Sequence, residues 1–167
     1  MLYIMYNPGG MKMEIKIMSV FDAFEYVMNH YAPYFFEEDL LYKDSYAVIS
    51  IQDAHSNGFG FEFKQSKYCK GVLTLQFDDV YEKVRGTVSF DKDMANQIID
   101  FLDEYDGKVD TLLIHCYAGE SRSRAVGAFA QYFIGEDNTE LINYGSPNTM
   151  IYNTLMKEYK KRIPDDV

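Results

Sequence analysis

Polar and apolar residues alternate over residues 13–18, with Ile15 and Ile17 on one side, which predicts a short strand. Ser19 then stands at the N-cap position of a helix whose apolar residues Phe21, Phe24, Met28 and Tyr31 recur at helical spacing. Pro33 ends that helix, and residues 35–42 add a further helical turn or two. Residues 46–51 are a β-branched-rich run between turn residues and read as a buried strand. Residues 52–60 carry Asp53, Asn57, Gly58 and Gly60 and read as a loop, in which His55 is a solvated side chain. Residues 61–63 suggest a strand fragment. The next clear strand covers 72–77, with Leu73, Leu75 and Phe77 on one face, and stops at Asp78-Asp79.

A polar loop follows as far as Gly86. Ser89 is the expected cap of a helix over 91–105, with Met94, Ile98, Leu102 and Tyr105 as its apolar stripe and Gly107 beyond its end. Residues 111–114 form a strand, and 123–133 a helix closed by Gly135. Residues 141–144 start a short helix. Ser146-Pro147 opens the last helix, with Ile151, Leu155 and Tyr159 on one face and Lys157, Lys160, Lys161 and Arg162 towards its end. Strands alternating with helices argue an α/β fold, a small central sheet flanked by helices.

The chain has 167 residues, 47% of them apolar, enough for one core. Residues 13–167 read as a single domain. Residues 1–12 read as an extension that is either disordered or upstream of a true start at Met11 or Met13, because the turn Asn7-Pro8-Gly9-Gly10 precedes the first strand. No run reaches the length of a membrane span, and the first ten residues lack the basic region and cleavage site of a signal peptide. With only Cys69 and Cys116, neither a disulfide framework nor a zinc cluster is expected, and a reduced, cytoplasmic setting fits. The net charge of −10 repels nucleic acid and anionic membrane, so neither is an expected partner. Against that background the arginines are Arg85, Arg122, Arg124 and Arg162, and Arg122 and Arg124 lie close together in the chain.

That pair belongs to the most informative stretch, residues 112–126. An apolar run ends at His115, Cys116 opens a loop, and Arg122 and Ser123 lead into a helix. A strand, a tight loop and a helix N-terminus make an anion site, since unpaired backbone N–H groups and the positive helix end converge there. Such a field favours a nucleophilic thiolate. Arg122 can grip two oxygens of a bound oxyanion in fork geometry. If the anion is a phosphate ester, the chemistry that follows is attack on phosphorus and a covalent phosphocysteine.

His115, Cys116, Gly119, Ser121, Arg122 and Ser123 together resemble the signature of the cysteine-based protein tyrosine phosphatase superfamily, His-Cys-x5-Arg-Ser/Thr, in the dual-specificity-like form found in small bacterial and phage-type members. The resemblance is specific from about residue 73 to 133. It implies a tyrosine-phosphatase-like fold with the Cys loop between strand and helix. The implied activity is hydrolysis of phosphate monoesters, of phosphotyrosine or dual specificity, with no cofactor and no metal. Cys116 is the implied nucleophile. The backbone of Tyr117, Ala118, Gly119, Glu120, Ser121 and Arg122 cradles phosphate, sulfate or vanadate, with the Arg122 guanidinium on the equatorial oxygens. Ser123 eases the departure of the thiolate, and His115 either orders the loop or is simply a packed strand-end His.

The family's general acid is an Asp upstream of the Cys. Asp78, Asp79, Asp91 and Asp93 are the candidates, and Asp91 and Asp93 also suit a helix N-terminus. The segment Phe77-Asp78-Asp79-Val80 resembles the register of small bacterial members and selects Asp79. Glu120 departs from the apolar or aromatic residue usual at its position and disfavours highly anionic substrates. The expected substrate is a phosphotyrosine protein or small aryl phosphate. A non-catalytic phosphotyrosine- or oxyanion-binding module and a rhodanese-type enzyme are the alternatives. The Ser146-Pro147-Asn148 segment has no assigned role.

Overall fold

The computed structural model describes residues 11–30, 42–56 and 58–164. Among them the elements run β1 (Glu14–Met18), α1 (Val20–Met28), β2 (Tyr46–Gln52), β3 (Cys69–Gln76), α2 (Lys92–Tyr105), β4 (Thr111–His115), α3 (Arg122–Phe133), α4 (Thr139–Asn143) and α5 (Thr149–Lys160). The four strands form one sheet in the order β1-β4-β2-β3, and every pairing is parallel. Parallel strands need crossovers and are covered on both faces, which is why β2 and β4 are buried along their whole length.

The alternation of side chains across β2 and β4 divides the core in two. Ala47, Ile49, Ile51, Leu112 and Ile114 pack with α2, α3 and α5. Tyr46, Val48 and Leu113 pack with Ala23 and Tyr26 of α1 and with Phe63 from the loop after β2. The molecule is therefore an α/β sandwich, a small parallel sheet between helices. No helix of the described residues is long and apolar enough to cross a membrane.

Several boundaries differ from expectation, each for a local reason. Ser19 does cap α1, its side chain accepting from Asp22 N at 3.1 Å. The buried face of α1 is Val20, Ala23 and Tyr26, however, and Phe21, Phe24 and Met28 are exposed. This helix carries two apolar stripes one residue apart, and periodicity alone cannot choose between them. The small side chains of Val20 and Ala23 let the helix lie close to the sheet. Asp91 rather than Ser89 caps α2, accepting from Asp93 N and Met94 N. A carboxylate there answers both the unpaired N–H groups and the helix dipole. Residues 61–63 are not a strand, though Phe61 and Phe63 pack beneath α1. The short helix α4 starts at Thr139, not at Leu141. Residues 1–10 of the expected extension 1–12, Tyr31, Pro33, and residues 35–41 of the helical turns expected over 35–42 lie outside the described residues.

At the edge where β2 and β4 begin, a polar cluster ties α1 to the sheet. Asp44 accepts from Thr111 Oγ1 at 2.7 Å and from the Tyr26 hydroxyl, and its other oxygen lies 2.7 Å from His30 Nε2. Tyr26, His30 and Thr111 are all buried. Buried donors lose more when a partner is removed than they gained by having it. Asp44→Ala should therefore lower the unfolding free energy by about 2–4 kcal/mol, measured by urea titration.

Candidate active site

Because all four strands run the same way, the loops after β2, β3 and β4 leave the sheet at one edge. Asp53 and His55 follow β2, Asp78 and Asp79 follow β3, and Cys116 follows β4. The loop 116–121 joins β4 to the N-terminus of α3. Gly119 makes its tight bend at φ +77°, and a Cβ there would lie 2.7 Å from the carbonyl carbon of Met18. Only glycine fits both the conformation and the approach. Val20 N donates to Tyr117 O at 3.1 Å and fastens the loop to the start of α1.

Cys116 is buried, with its Sγ 3.1 Å from Ser123 Oγ and accepting from Gly119 N at 3.3 Å. The Gly119 N–H favours negative charge on the sulfur, and the Ser123 hydroxyl shares a hydrogen bond with it in which either atom can donate. Arg122 is buried at the first position of α3. Its Nη1 pairs with Asp53 Oδ1 at 2.6 Å and donates to Phe77 O at 2.9 Å. Its Nε is buried and has no partner among the described residues. A buried N–H of a charged group without an acceptor is costly.

His115 ends β4, fully buried. Its Nδ1 lies 3.2 Å from Cys116 O, which can only accept, so Nδ1 carries the proton. Nε2 then accepts from the Ser50 hydroxyl at 2.6 Å. Burial pushes its pKa down to about 4, so the ring is neutral at pH 7 and braces the Cys116 backbone from beneath.

The two adjacent aspartates have opposite surroundings. Asp78 is buried; Oδ2 accepts from Val88 N at 2.8 Å and Oδ1 lies 2.5 Å from His55 Nδ1. The Val88 N–H, and next the His55 bond, hold its carboxyl below the usual range. His55 is thus not merely solvated: it is largely exposed but bonded to Asp78, which raises its pKa. Asp79 is exposed and turned to the loop, its Oδ1 accepting from Ser121 Oγ and from Asn148 Nδ2, each at 2.8 Å. Asp91 and Asp93 stay with the first turn of α2.

Ala118 and Glu120 are exposed on the loop, and Ser121 faces Asp79 instead of capping α3. Arg124 turns away and donates to the carbonyls of Glu140, Leu141 and Tyr144 around α4. Tyr117 meets Phe21 and Phe59 with ring centroids 5.9 Å apart in each pair. With Val20, Phe24 and Phe61 these rings line a cleft of about 390 Å³ beside the loop. Phe21 and Phe24, the apolar residues at helical spacing in α1, line this cleft.

Asp53, Ser50 and Asn148 escape sequence reasoning. Pro147-Asn148 before an apolar-periodic helix does signal a cap, and Asn148 Oδ1 accepts from Ile151 N. Nothing in the spacing brings its amide to Asp79. Asp53 and Ser50 become visible only once β2 is known to lie beside β4.

No family model matches the chain, and no curated protein matches it. Several solved structures do. The human tyrosine phosphatase-like serine/threonine/tyrosine-interacting protein is 18% identical, with a TM-score of 0.47 over 72% of this chain and 80% of that one. Tk-PTP in its active form is 18% identical, with a TM-score of 0.47 over 89% and 91%. PTPMT1 in complex with PI(5)P is 20% identical, with a TM-score of 0.44 over 70% and 78%. At that level the likeness assigns neither family nor activity.

The lowered pKa of His115 makes stability depend on pH. Between pH 6.5 and about 4 the unfolded chain binds a proton at this residue that the folded chain does not. Its contribution to stability is complete above pH 6.5 and is lost as pH falls towards 4, on the order of 3 kcal/mol in all. Urea midpoints measured across that range should fall with acidification, and His115→Asn should flatten the slope.

Proposed function

We propose that the protein is a phosphatase that hydrolyses aryl phosphate monoesters, phosphotyrosine among them, through a phosphocysteine intermediate. The observation that carries this is the Cys116 loop itself. A buried sulfur hydrogen-bonded to Gly119 N and Ser123 Oγ lies beside a buried Arg122 whose Nε has no acceptor among the described residues, all at a helix N-terminus. The residues divide the work. The Cys116 thiolate attacks phosphorus, the S–P bond forms, and the P–O bond to the leaving group breaks. Asp79 gives its proton to the departing oxygen, leaving a phosphocysteine, a neutral phenol or alcohol and the Asp79 carboxylate. Water then attacks phosphorus and passes a proton to Asp79. The S–P bond breaks, and phosphate and the thiolate are released.

The backbone of residues 117–122 and Arg122 hold the equatorial oxygens in both steps. Ser123 donates to the sulfur as it departs. Asp53 and Phe77 O hold one end of the guanidinium, which leaves Nε and the other amino group for the oxyanion. The aromatic cleft beside Tyr117 supports an aryl leaving group, since rings pack edge-to-face or offset at these separations. Exposed Glu120 and the net charge of −10 weigh against inositides and RNA ends. A reduced cytoplasmic setting suits a working thiolate.

Phenyl phosphate and p-nitrophenyl phosphate should both be hydrolysed, with inhibition by vanadate and no loss in EDTA. Cys116→Ser should abolish turnover, and Arg122→Lys should lower kcat roughly 100-fold or more, since an ammonium cannot replace the fork. Turnover that survives Cys116→Ser would overturn the proposal.

Asp79→Asn should lower kcat on phenyl phosphate on the order of 100-fold and do far less to p-nitrophenyl phosphate, whose leaving group departs with less help. Asp78→Asn should not show that leaving-group dependence. The reverse pattern would move the acid to Asp78.

A further inference from the structure

Asn148 is fully buried at the start of α5, and every polar atom of its side chain is used. Its Oδ1 accepts from Ile151 N at 3.2 Å and caps the helix. Its Nδ2 donates to Asp79 Oδ1 at 2.8 Å and to Val80 O at 3.0 Å. Its backbone N donates to Ser121 O at 3.2 Å, and Ser121 Oγ donates to the same Asp79 Oδ1. Asp79, Ser121 and Asn148 therefore form a closed ring that joins the loop after β3, the Cys116 loop and α5.

Capping needs only the acceptor. A serine, threonine or aspartate would do that as well as asparagine. The amide hydrogens do something else: they spend a buried donor on the carboxyl group of an exposed loop residue. Two donors converge on Oδ1, and among the described residues Oδ2 accepts no hydrogen bond. A protonated carboxyl in this setting keeps Oδ1 as the acceptor and carries its proton on Oδ2.

We infer that Asn148 is a positioning residue for Asp79: its amide fixes Oδ1 and directs the proton-bearing Oδ2 to the leaving group. This rests on the reading of Asp79 as general acid. It gives the Ser146-Pro147-Asn148 segment a role beyond starting a helix. Displacing an acid by about 1 Å is enough to cost a large factor in rate, so the effect belongs in kcat for substrates that need the proton.

The test is Asn148→Ser in the full chain, which retains a capping oxygen and lacks the reach and the donors of the amide. kcat on phenyl phosphate should fall about tenfold, and kcat on p-nitrophenyl phosphate less than about twofold. In an Asp79→Asn background the same substitution should cost nothing further on phenyl phosphate, because the group it positions no longer carries a proton. Equal losses on both substrates, full additivity with Asp79→Asn, or no loss at all would overturn the inference. If Asn148→Ser does not fold, Asn148→Thr, which also keeps a capping hydroxyl and lacks the amide, is read in the same way. If Asp79→Asn itself shows no leaving-group dependence, Asp79 is not the acid and the inference falls with it. If Asp79→Asn shows the dependence and Asn148→Ser does not, only the role of Asn148 is wrong.

Discussion

A guanidinium buried at the first turn of a helix has to be neutralised, and it cannot be neutralised by the helix. The N-terminus of α3 is itself positive, so Arg122 adds charge where charge is already unfavourable. Asp53 and the Phe77 carbonyl answer part of that demand from the ends of β2 and β3. Among the described residues nothing accepts from its Nε. The surroundings of the loop follow from this one constraint. Asp53 must lie at the end of a strand next to β4, the loop must turn tightly enough to bring its N–H groups to the same point, and Gly119 alone allows that turn against Met18 and Ser19.

The parallel sheet is the means by which three distant segments meet this constraint. With β4 between β1 and β2, and β3 outside β2, the loop after each inner strand reaches the same edge. The neutral His115, braced by Ser50 on the neighbouring strand, holds the backbone where β4 becomes loop. The loop after β3 arrives one strand further out and is tied to the Cys116 loop by hydrogen bonds of its own. Ser121 on one side and Asn148 on the other hold Asp79 at the loop, while Asp78 points inward to Val88 and His55. Adjacent residues on an extended chain face opposite ways, so only one of the two can serve the site.

Much of this was legible in the residues. Cys116, Gly119, Arg122 and Ser123 are a local pattern in which short-range geometry dictates the loop, and the strand and helix flanking it have clear periodicities. The preference for Asp79 over Asp78 came from the resemblance of Phe77-Asp78-Asp79-Val80 to small bacterial phosphatases, and the two side chains do have opposite surroundings. What was hidden depends on pairing between strands or on the choice between equivalent faces. Asp53 and Ser50 matter because β2 lies beside β4, which no spacing reveals. Phe21 and Phe24 have helical periodicity as good as that of Val20, Ala23 and Tyr26, and the closer approach of the smaller side chains decided the face. His55 read as solvated because its partner lies 23 residues away on another strand's loop.

The central claim, that the sulfur of Cys116 takes the phosphoryl group, is tested most directly by trapping it. The protein is mixed with phenyl phosphate at saturating concentration, quenched in acid within one turnover, digested and mapped by mass spectrometry. One phosphoryl group on the peptide carrying Cys116, absent from Cys116→Ser, is the predicted result. Steady turnover with no phosphoryl group on that peptide at any quench time, or with the label on a different residue, would contradict it.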